Sequence, residues 1–174
     1  MTYEDLNRYN HLQLAEDVAK SGIGYSDSVI VYNRYLSGVM ETEYYFGTRF
    51  DNVRVELTQG ANIRASGIQD SDACKVKIPN TNLPKPYMAP KRWSEQTTDQ
   101  MLESFTLDSA NQNFFVIVKK DDIGLNVNLP VGRVASDEYQ GGFYQYVRDR
   151  YGYAYAIKTV DVYSLIPRYE VSGR

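Results

Sequence analysis

The sequence predicts a mainly β fold of the α+β class, a small β-barrel or sandwich with an N-terminal helix and one or two short helices. Three observations support this prediction. Short runs of β-branched and aromatic residues alternate with polar residues along most of the chain. A proline-rich stretch interrupts these runs near the middle. Apolar residues at helical spacing extend over a long stretch only at the N-terminus.

Three helices are predicted. Apolar residues from Leu6 to Ala19 recur at intervals of three and four, and Gly22 would end this first helix. A short helix begins after a cap at Thr97 or at the threonine that follows, and it carries Met101 and Leu102. Aromatic residues at helical spacing then indicate a third helix within residues 143–150.

The strands are inferred from alternation and from apolar runs. Val53, Val55 and Leu57 alternate with charged residues, which is typical of a half-buried strand. Residues 113–120 are apolar on both faces, so this strand should be buried on both sides. Pro167 marks the last run as an edge strand or as the start of a strand. The predicted strands cover residues 28–36, 43–50, 53–57, 74–78, 105–107, 113–120, 153–163 and 166–171.

The length of 174 residues fits one ordinary domain. We expect residues 1–24 to form a helix appended to a single β-rich domain over residues 25–174. Within that domain, Pro84, Pro86 and Pro90 exclude a regular helix or a central strand. Residues 80–104 are therefore predicted to form a proline-rich loop followed by a short helix.

Charge and hydropathy disfavour some classes of partner. The net charge is −3, from 19 basic and 22 acidic side chains, and no basic tail or stripe is present. Tight binding to a nucleic-acid backbone requires clustered Lys and Arg, so it is disfavoured. The longest apolar run, residues 114–118, is far shorter than the about 20 residues of a membrane span. The acidic N-terminus lacks a signal-peptide layout, which predicts a protein made in the cytoplasm.

The residues that usually carry catalysis are scarce. His11 is the only histidine, and no nucleophile accompanies it on the predicted helix. Cys74 is the only cysteine, and it alternates with lysines at an inward-facing position, which is typical of a small buried side chain. Asp70 and Asp72 lack the further ligands of a calcium loop. We therefore predict no enzyme activity, no catalytic residues, no metal site and no cofactor.

Interaction surfaces are the remaining source of function. The 16 tyrosines are explained either by the preference of Tyr for strands or by its use in protein contacts. Trp93 follows two basic residues, a cluster that fits either a partner-binding anchor or a solvated loop. A second basic spot contains Arg148 and Arg150. The candidate interaction residues are Tyr87, Lys91, Arg92, Trp93, Tyr144, Arg148 and Tyr169.

Several short motifs occur in a fixed order along residues 28–174. They are Val31-Tyr32-Asn33-Arg34-Tyr35, Ser66-Gly67-Ile68-Gln69-Asp70-Ser71-Asp72, Val76-Lys77-Ile78-Pro79, Tyr155-Ala156-Ile157-Lys158-Thr159-Val160-Asp161 and Arg168-Tyr169-Glu170-Val171-Ser172-Gly173-Arg174. This order resembles small virion proteins of tailed phages and prophages of Gram-positive bacteria, often labelled minor capsid or head-tail connector proteins. Residues 111–122 lack the Gly-Asp turn of that family, and the N-terminal helix is an addition.

The resemblance implies a neck protein of the stopper or head-completion type, located in the virion. Such a protein forms a homo-oligomeric ring, expected to be a hexamer, that contacts portal or adaptor proteins and tail terminator or tube proteins. Genomic DNA would pass through the ring without sequence-specific binding. The closest alternative is a tail terminator, which is built on a sheet flanked by helices. A carbohydrate- or peptide-binding module that uses exposed tyrosines is a further alternative.

Overall fold

The computed structural model of the protein describes residues 24–58, 61–64, 67–70, 73–81 and 83–174. The predicted N-terminal helix, including His11, lies outside the described residues. The strands are Asp27–Leu36 (β1), Glu43–Thr58 (β2), Ala61–Arg64 (β3), Gly67–Asp70 (β4), Ala73–Pro79 (β5), Phe114–Lys120 (β6), Leu125–Asn126 (β7), Gly132–Ala135 (β8), Ala154–Tyr163 (β9) and Arg168–Gly173 (β10). The helices are Pro90–Ser94 (α1), Thr98–Leu102 (α2) and Phe143–Tyr151 (α3).

Six of the strands pair in a closed ring. The order is β1, β2, β5, β10, β9 and β6, and β6 returns to pair with β1. Every pairing in the ring is antiparallel. β8 adds to β2, β7 adds to β6, and β3 with β4 forms a separate two-stranded hairpin. The prediction of a mainly β fold with a few short helices is confirmed.

Strands β1 and β6 are both buried on both faces. For β6 this confirms the prediction from the apolar run at residues 113–120, whereas no such prediction was made for β1. Val29 and Val31 face the interior of the ring, where they join the largest hydrophobic cluster. Ile30 and Tyr32 face outward and are covered by a second cluster that includes Phe143 of α3. A helix therefore shields the outer face at the point where these two strands meet.

Strand β2 merges two strands that the sequence analysis separated. Its first half pairs with β1 and its last residues, Arg54 to Thr58, pair with β5. Asn52 lies between the two halves with a φ of 55°, a left-handed conformation that Asn tolerates better than most residues. The runs predicted at residues 43–50 and 53–57 form one strand, because the chain pairs with β1 up to Val53 and with β5 from Arg54 onward.

A non-strand segment closes one end of the ring. The side-chain amide of Asn33 donates to the Thr106 carbonyl at 2.8 Å, and the Thr106 N–H donates back to the Asn33 Oδ1 at 3.1 Å. This pair of hydrogen bonds brings Phe105 and Leu107 into the interior cluster. The strand predicted at residues 105–107 is wrong, because only a single bridge, between Tyr87 and Phe105, forms there.

The other local predictions have mixed outcomes. Helix α2 begins after Thr97, whose hydroxyl accepts from the Gln100 N–H in a reciprocal cap, as predicted. Helix α3 is also confirmed. Strand β10 begins directly after Pro167 and lies between β5 and β9, so the proline marks a strand start rather than an edge. Helix α1, strand β8 and the hairpin of β3 and β4 were not predicted.

The interior packing predicts a large cost for shortening Phe105. Its side chain has no exposed surface, and its ring meets that of Phe50 edge-on at a centroid distance of 4.9 Å. We expect Phe105→Ala to lower the free energy of unfolding by about 3–5 kcal/mol, measured by urea denaturation. Leu165→Ala, at a side chain that is 63% exposed, should change it by less than about 0.5 kcal/mol. Equal effects of the two substitutions would contradict this packing.

The burial of Cys74 predicts an unreactive thiol. The side chain is 1% exposed in the interior cluster, and burial raises the pKa of the thiol to about 12. A disulfide reagent reacts with the thiolate, so the folded protein at pH 8 should show almost no labelling. Unfolding in urea should release one reactive thiol per chain. Rapid labelling of the folded protein would show that Cys74 is not buried.

Candidate functional site

A polar cleft of about 520 Å³ lies at the end of the ring where β1 begins. The Lys120 Nζ is 3.5 Å from the Asp27 Oδ2 and 3.1 Å from the Asp122 Oδ1. The Asp27 Oδ2 also accepts from the Val55 N–H at 2.9 Å. These charged groups already pair with one another and bond the backbone. The arrangement links the start of β1 with β2 and with the end of β6.

Two further findings concern all the residues that the structure describes. The described residues bring together no group of three or more His, Cys, Asp or Glu side chains that could hold a metal ion. No helix among them combines the length and the apolar character that a membrane span requires.

Exposed apolar side chains are concentrated on two turns. Eight large apolar residues are exposed in the described part of the chain, and six of them lie on or beside the turns that join β1 to β2 and β9 to β10. We call these two segments, residues 36–42 and 162–167, the apolar turns. Their exposed members are Leu36, Val39, Met40, Val162, Tyr163 and Leu165. Val39 is 96% exposed and therefore contributes nothing to the core.

Both apolar turns lie at the same end of the ring. Tyr32 of β1 stands opposite Phe114 of β6, which stands opposite Ala156 of β9. Because both pairings are antiparallel, β1 and β9 run in the same direction. Leu36 comes after Tyr32 in β1, and Tyr163 comes after Ala156 in β9. Both turns therefore project from the same end of the ring. This is also the end that the segment around Phe105 closes.

The charges beside the apolar turns are mainly acidic. Arg34 is paired with Glu43 at the base of the first turn. Arg168, the first residue after the second turn, donates to Glu170 at 2.8 Å and lies 4.6 Å from the centre of the Tyr163 ring. The basic side chains nearest the two turns are thus already paired. Exposed Glu41 and Asp161 have no ion-pair partner among the described residues.

Glu43 connects the first apolar turn with the start of α3. Burial alone would raise the pKa of this carboxyl, but hydrogen bonds from Ser136 and Arg34 and the Arg34 charge together lower it. The Ser136 Oγ also accepts from the Phe143 N–H at 3.0 Å, at the first residue of α3. The position of α3 is therefore tied to the base of the turn.

A second candidate surface is formed by α3 and the preceding turn. Half-buried tyrosines stand beside exposed arginines, and we call this set the tyrosine–arginine surface. The rings of Tyr139 and Tyr146 are 4.8 Å apart, and the Arg150 guanidinium lies 5.9 Å from the centre of the Tyr146 ring. Tyrosine and arginine are the residue types that most often dominate protein interfaces. The members are Tyr139, Tyr144, Tyr146, Arg148, Arg150 and Tyr151.

Two tyrosine hydroxyls at or beside this surface, those of Tyr139 and Tyr32, have a raised pKa. Burial, together with the nearby Glu138 carboxylate, raises the pKa of Tyr139. Burial raises the pKa of the neighbouring Tyr32 further, and its hydroxyl donates to the Pro130 carbonyl at 2.7 Å. These groups stay protonated at neutral pH and can only donate or accept hydrogen bonds. Tyr139 and Tyr32 can therefore contribute hydrogen bonds but are poor proton acceptors.

The structure separates the predicted interaction residues. Tyr144 and Arg148 belong to the tyrosine–arginine surface, whereas the exposed Lys91 and Arg92 lie on α1. Trp93 is only 3% exposed and packs edge-on against Phe46 at a centroid distance of 5.8 Å. It is a core residue that holds α1 in place, and it leaves little surface for a partner.

Tyr87 and Tyr169 also serve mainly as packing residues. Tyr169 is 6% exposed and faces the interior of the ring, where its ring lies 5.1 Å from that of Tyr87. Tyr87 is half-buried over the same end.

Sequence reasoning missed the apolar turns. The signal was present at Val39 and Met40, two consecutive apolar residues next to Gly38, where a polar turn is usual.

A family model described as a family of unknown function (DUF6751) matches residues 25–123. The chain belongs to this family. The match includes β1 to β6 and the first apolar turn, and it ends before α3 and the second apolar turn. No curated protein and no solved structure is significantly similar to the chain. The family match therefore adds no residue roles to those that the geometry supplies.

The lowered pKa of Glu43 predicts a pH-dependent contribution to stability. A carboxyl whose pKa is lower in the folded state stabilises the fold above its unfolded pKa of about 4.3, and this contribution is lost as the pH falls through the folded pKa. Glu43→Gln should therefore lower the free energy of unfolding at pH 7. The difference from the parent protein should shrink as the pH falls below about 4.

Thermal unfolding between pH 3 and pH 8 measures this dependence. Glu41→Gln, on the same turn but without an ion-pair partner among the described residues, is the matched control and should have little effect. A difference between the Glu43→Gln variant and the parent that stays constant with pH would contradict the role of the Glu43 charge.

Proposed function

We propose that this chain is a structural subunit of the neck of a tailed phage or prophage, of the stopper or head-completion type. Copies of the chain assemble into a ring, taken here as a hexamer, between the portal or adaptor proteins and the tail terminator or tube proteins. The ring helps to close the DNA-filled head and to dock the tail. The proposal rests on the phage-connector motifs and on where their residues lie.

The observation that carries the proposal is the position of those motifs on the closed ring of strands. Residues 31–35 lie in β1 and residues 76–79 in β5. The last two motifs fall on β9 and β10, which pair with each other. The residues behind the resemblance thus form four of the six strands that build the framework. A family that shares these motifs would share this framework.

The helices favour a stopper over a tail terminator. The terminator alternative requires two or more long helices packed on one sheet. In the part of the chain that the structure describes, the longest helix is α3, with nine residues. The net charge of −3 is also compatible with a ring through which DNA slides, because such a ring should not grip phosphates.

A binding module for carbohydrate or peptide is the second candidate. The observation in its favour is the tyrosine–arginine surface, since half-exposed aromatic rings can stack on a sugar or a peptide. This function needs no assembly and no place in a virion.

Virion localisation tests the proposed function. Particles from the phage or induced prophage that carries this chain would be labelled with gold-conjugated antibody and imaged by electron microscopy. We expect label at the junction of head and tail, and we expect particles without the chain to lack attached tails. Label at the tail fibres, or no label on intact particles, would overturn the proposal and favour the binding module.

A further inference from the structure

We propose that residues 1–23 of the chain dock on the end of the ring where β1 begins and cover the interior there. The docking surface, here called the β1-end groove, has a volume of about 310 Å³. It is lined by Val55, Leu57, Lys120, Asp122, Ile123 and Tyr153. The occupant is the N-terminal segment of the same chain, which lies outside the described residues. The proposal does not depend on a place in a virion.

The two ends of the ring differ in how the interior cluster is covered. At the end with the apolar turns, Phe105 and Leu107 enter the cluster and are 0% and 3% exposed. At the end where β1 begins, Leu57, Leu125 and Tyr153 pack against the cluster but are only half-buried. Burial of their remaining apolar surface would contribute about 25 cal/mol per Å². This end of the interior therefore offers apolar surface to a further segment.

Ile123 adds a large apolar side chain to the rim of the β1-end groove. It is 42% exposed and ends the short 3-10 helix Asp121–Ile123 that follows β6. Of the eight large apolar residues that are exposed in the described part of the chain, it is the one that lines this groove. Its exposure is explained if a segment packs over it.

The described chain begins beside the same groove. Gly24 lines the polar cleft at this end, and that cleft shares Val55, Lys120 and Asp122 with the β1-end groove. Residues 1–23 directly precede Gly24. They therefore enter the fold next to the half-buried apolar side chains, and no other part of the chain outside the described residues is of comparable length.

The sequence of the segment suits this surface. A helix over residues 6–19 would be about 21 Å long, and residues 20–23 can span up to about 13 Å between it and Gly24. The stability of a single amphipathic helix comes mainly from packing of its apolar face. The apolar residues at helical spacing are Leu6, Tyr9, Leu12, Ala15, Val18 and Ala19.

Charge does not select the occupant, so apolar contact has to supply the binding. The charged side chains around the groove and the cleft are Asp27, Arg54, Glu56, Lys120, Asp121 and Asp122. Lys120 pairs with Asp27 and Asp122, and Arg54 pairs with Glu56. We therefore expect the docked state to change little with salt concentration.

Hydrogen–deuterium exchange of the full chain, read by mass spectrometry on peptides from residues 1–23, tests the contact. We expect slowed exchange in the parent, and a loss of over about tenfold in protection with Leu12→Asp and with Ile123→Asp. Ile123→Asp lies outside the segment, so it reports the contact rather than the helix. The matched controls are Asn10→Asp in the segment and Val131→Asp, at an exposed apolar residue that does not line the groove. Peptides from β6 should keep the parent protection in every variant.

Disulfide trapping distinguishes the chain's own segment from that of a second copy. Ile123→Cys is combined in turn with Leu12→Cys, Ala15→Cys or Val18→Cys, and Asn10→Cys is the control. The native Cys74 is buried and should not compete. After mild oxidation, we expect at least one of the three pairs to link within the chain, at the mass of a monomer.

Three results would overturn the inference: fast exchange throughout residues 1–23 of the parent, protection that Ile123→Asp leaves unchanged, or disulfides that form only between chains. The last result would assign the groove to the segment of a neighbouring copy. Gold labelling of the virion neck depends on none of these measurements, so the proposed function and this contact can fail separately.

Discussion

The pairing of β1 with β6 is the interaction on which the rest of the structure depends. It converts a row of antiparallel strands into a closed ring, so that Val29 and Val31 face an interior while Ile30 and Tyr32 face a second apolar layer. A closed ring leaves few free strand edges, which limits uncontrolled edge-to-edge association. Because β1 and β6 are apolar on both faces, their outer face must also be buried. Helix α3 packs on this outer face.

The interior of the closed ring also takes up side chains from outside the six strands. The segment that follows β5 supplies them without becoming a strand. The Asn33 side-chain amide bonds both the carbonyl and the N–H of Thr106. Phe105 and Leu107 on either side of Thr106 thereby enter the interior of the ring. Trp93 anchors the same segment from outside the interior cluster. The one tryptophan, an obvious candidate for partner binding, is thus used to hold the closing segment.

With the interior and the outer layer filled from within the chain, the apolar side chains that remain exposed are informative. They lie mostly on two turns at the closed end, where much of their surface is exposed. The tyrosines and arginines of α3 and the preceding turn form a second candidate surface, which also carries the exposed carboxylates of Asp137, Glu138 and Asp149.

The sequence by itself determined the type and position of most elements. Alternation and apolar runs identified the strands at residues 28–36, 74–78, 113–120 and 153–163, and local capping identified α2, since these signals depend only on near neighbours. It also indicated a single domain without a catalytic constellation. Ring closure, the union of two predicted runs into β2 and the burial of Trp93 depend on contacts between residues far apart in the chain, which no local pattern encodes. For the same reason, only the tertiary structure decided which tyrosines share a surface and that the exposed turns lie at one end.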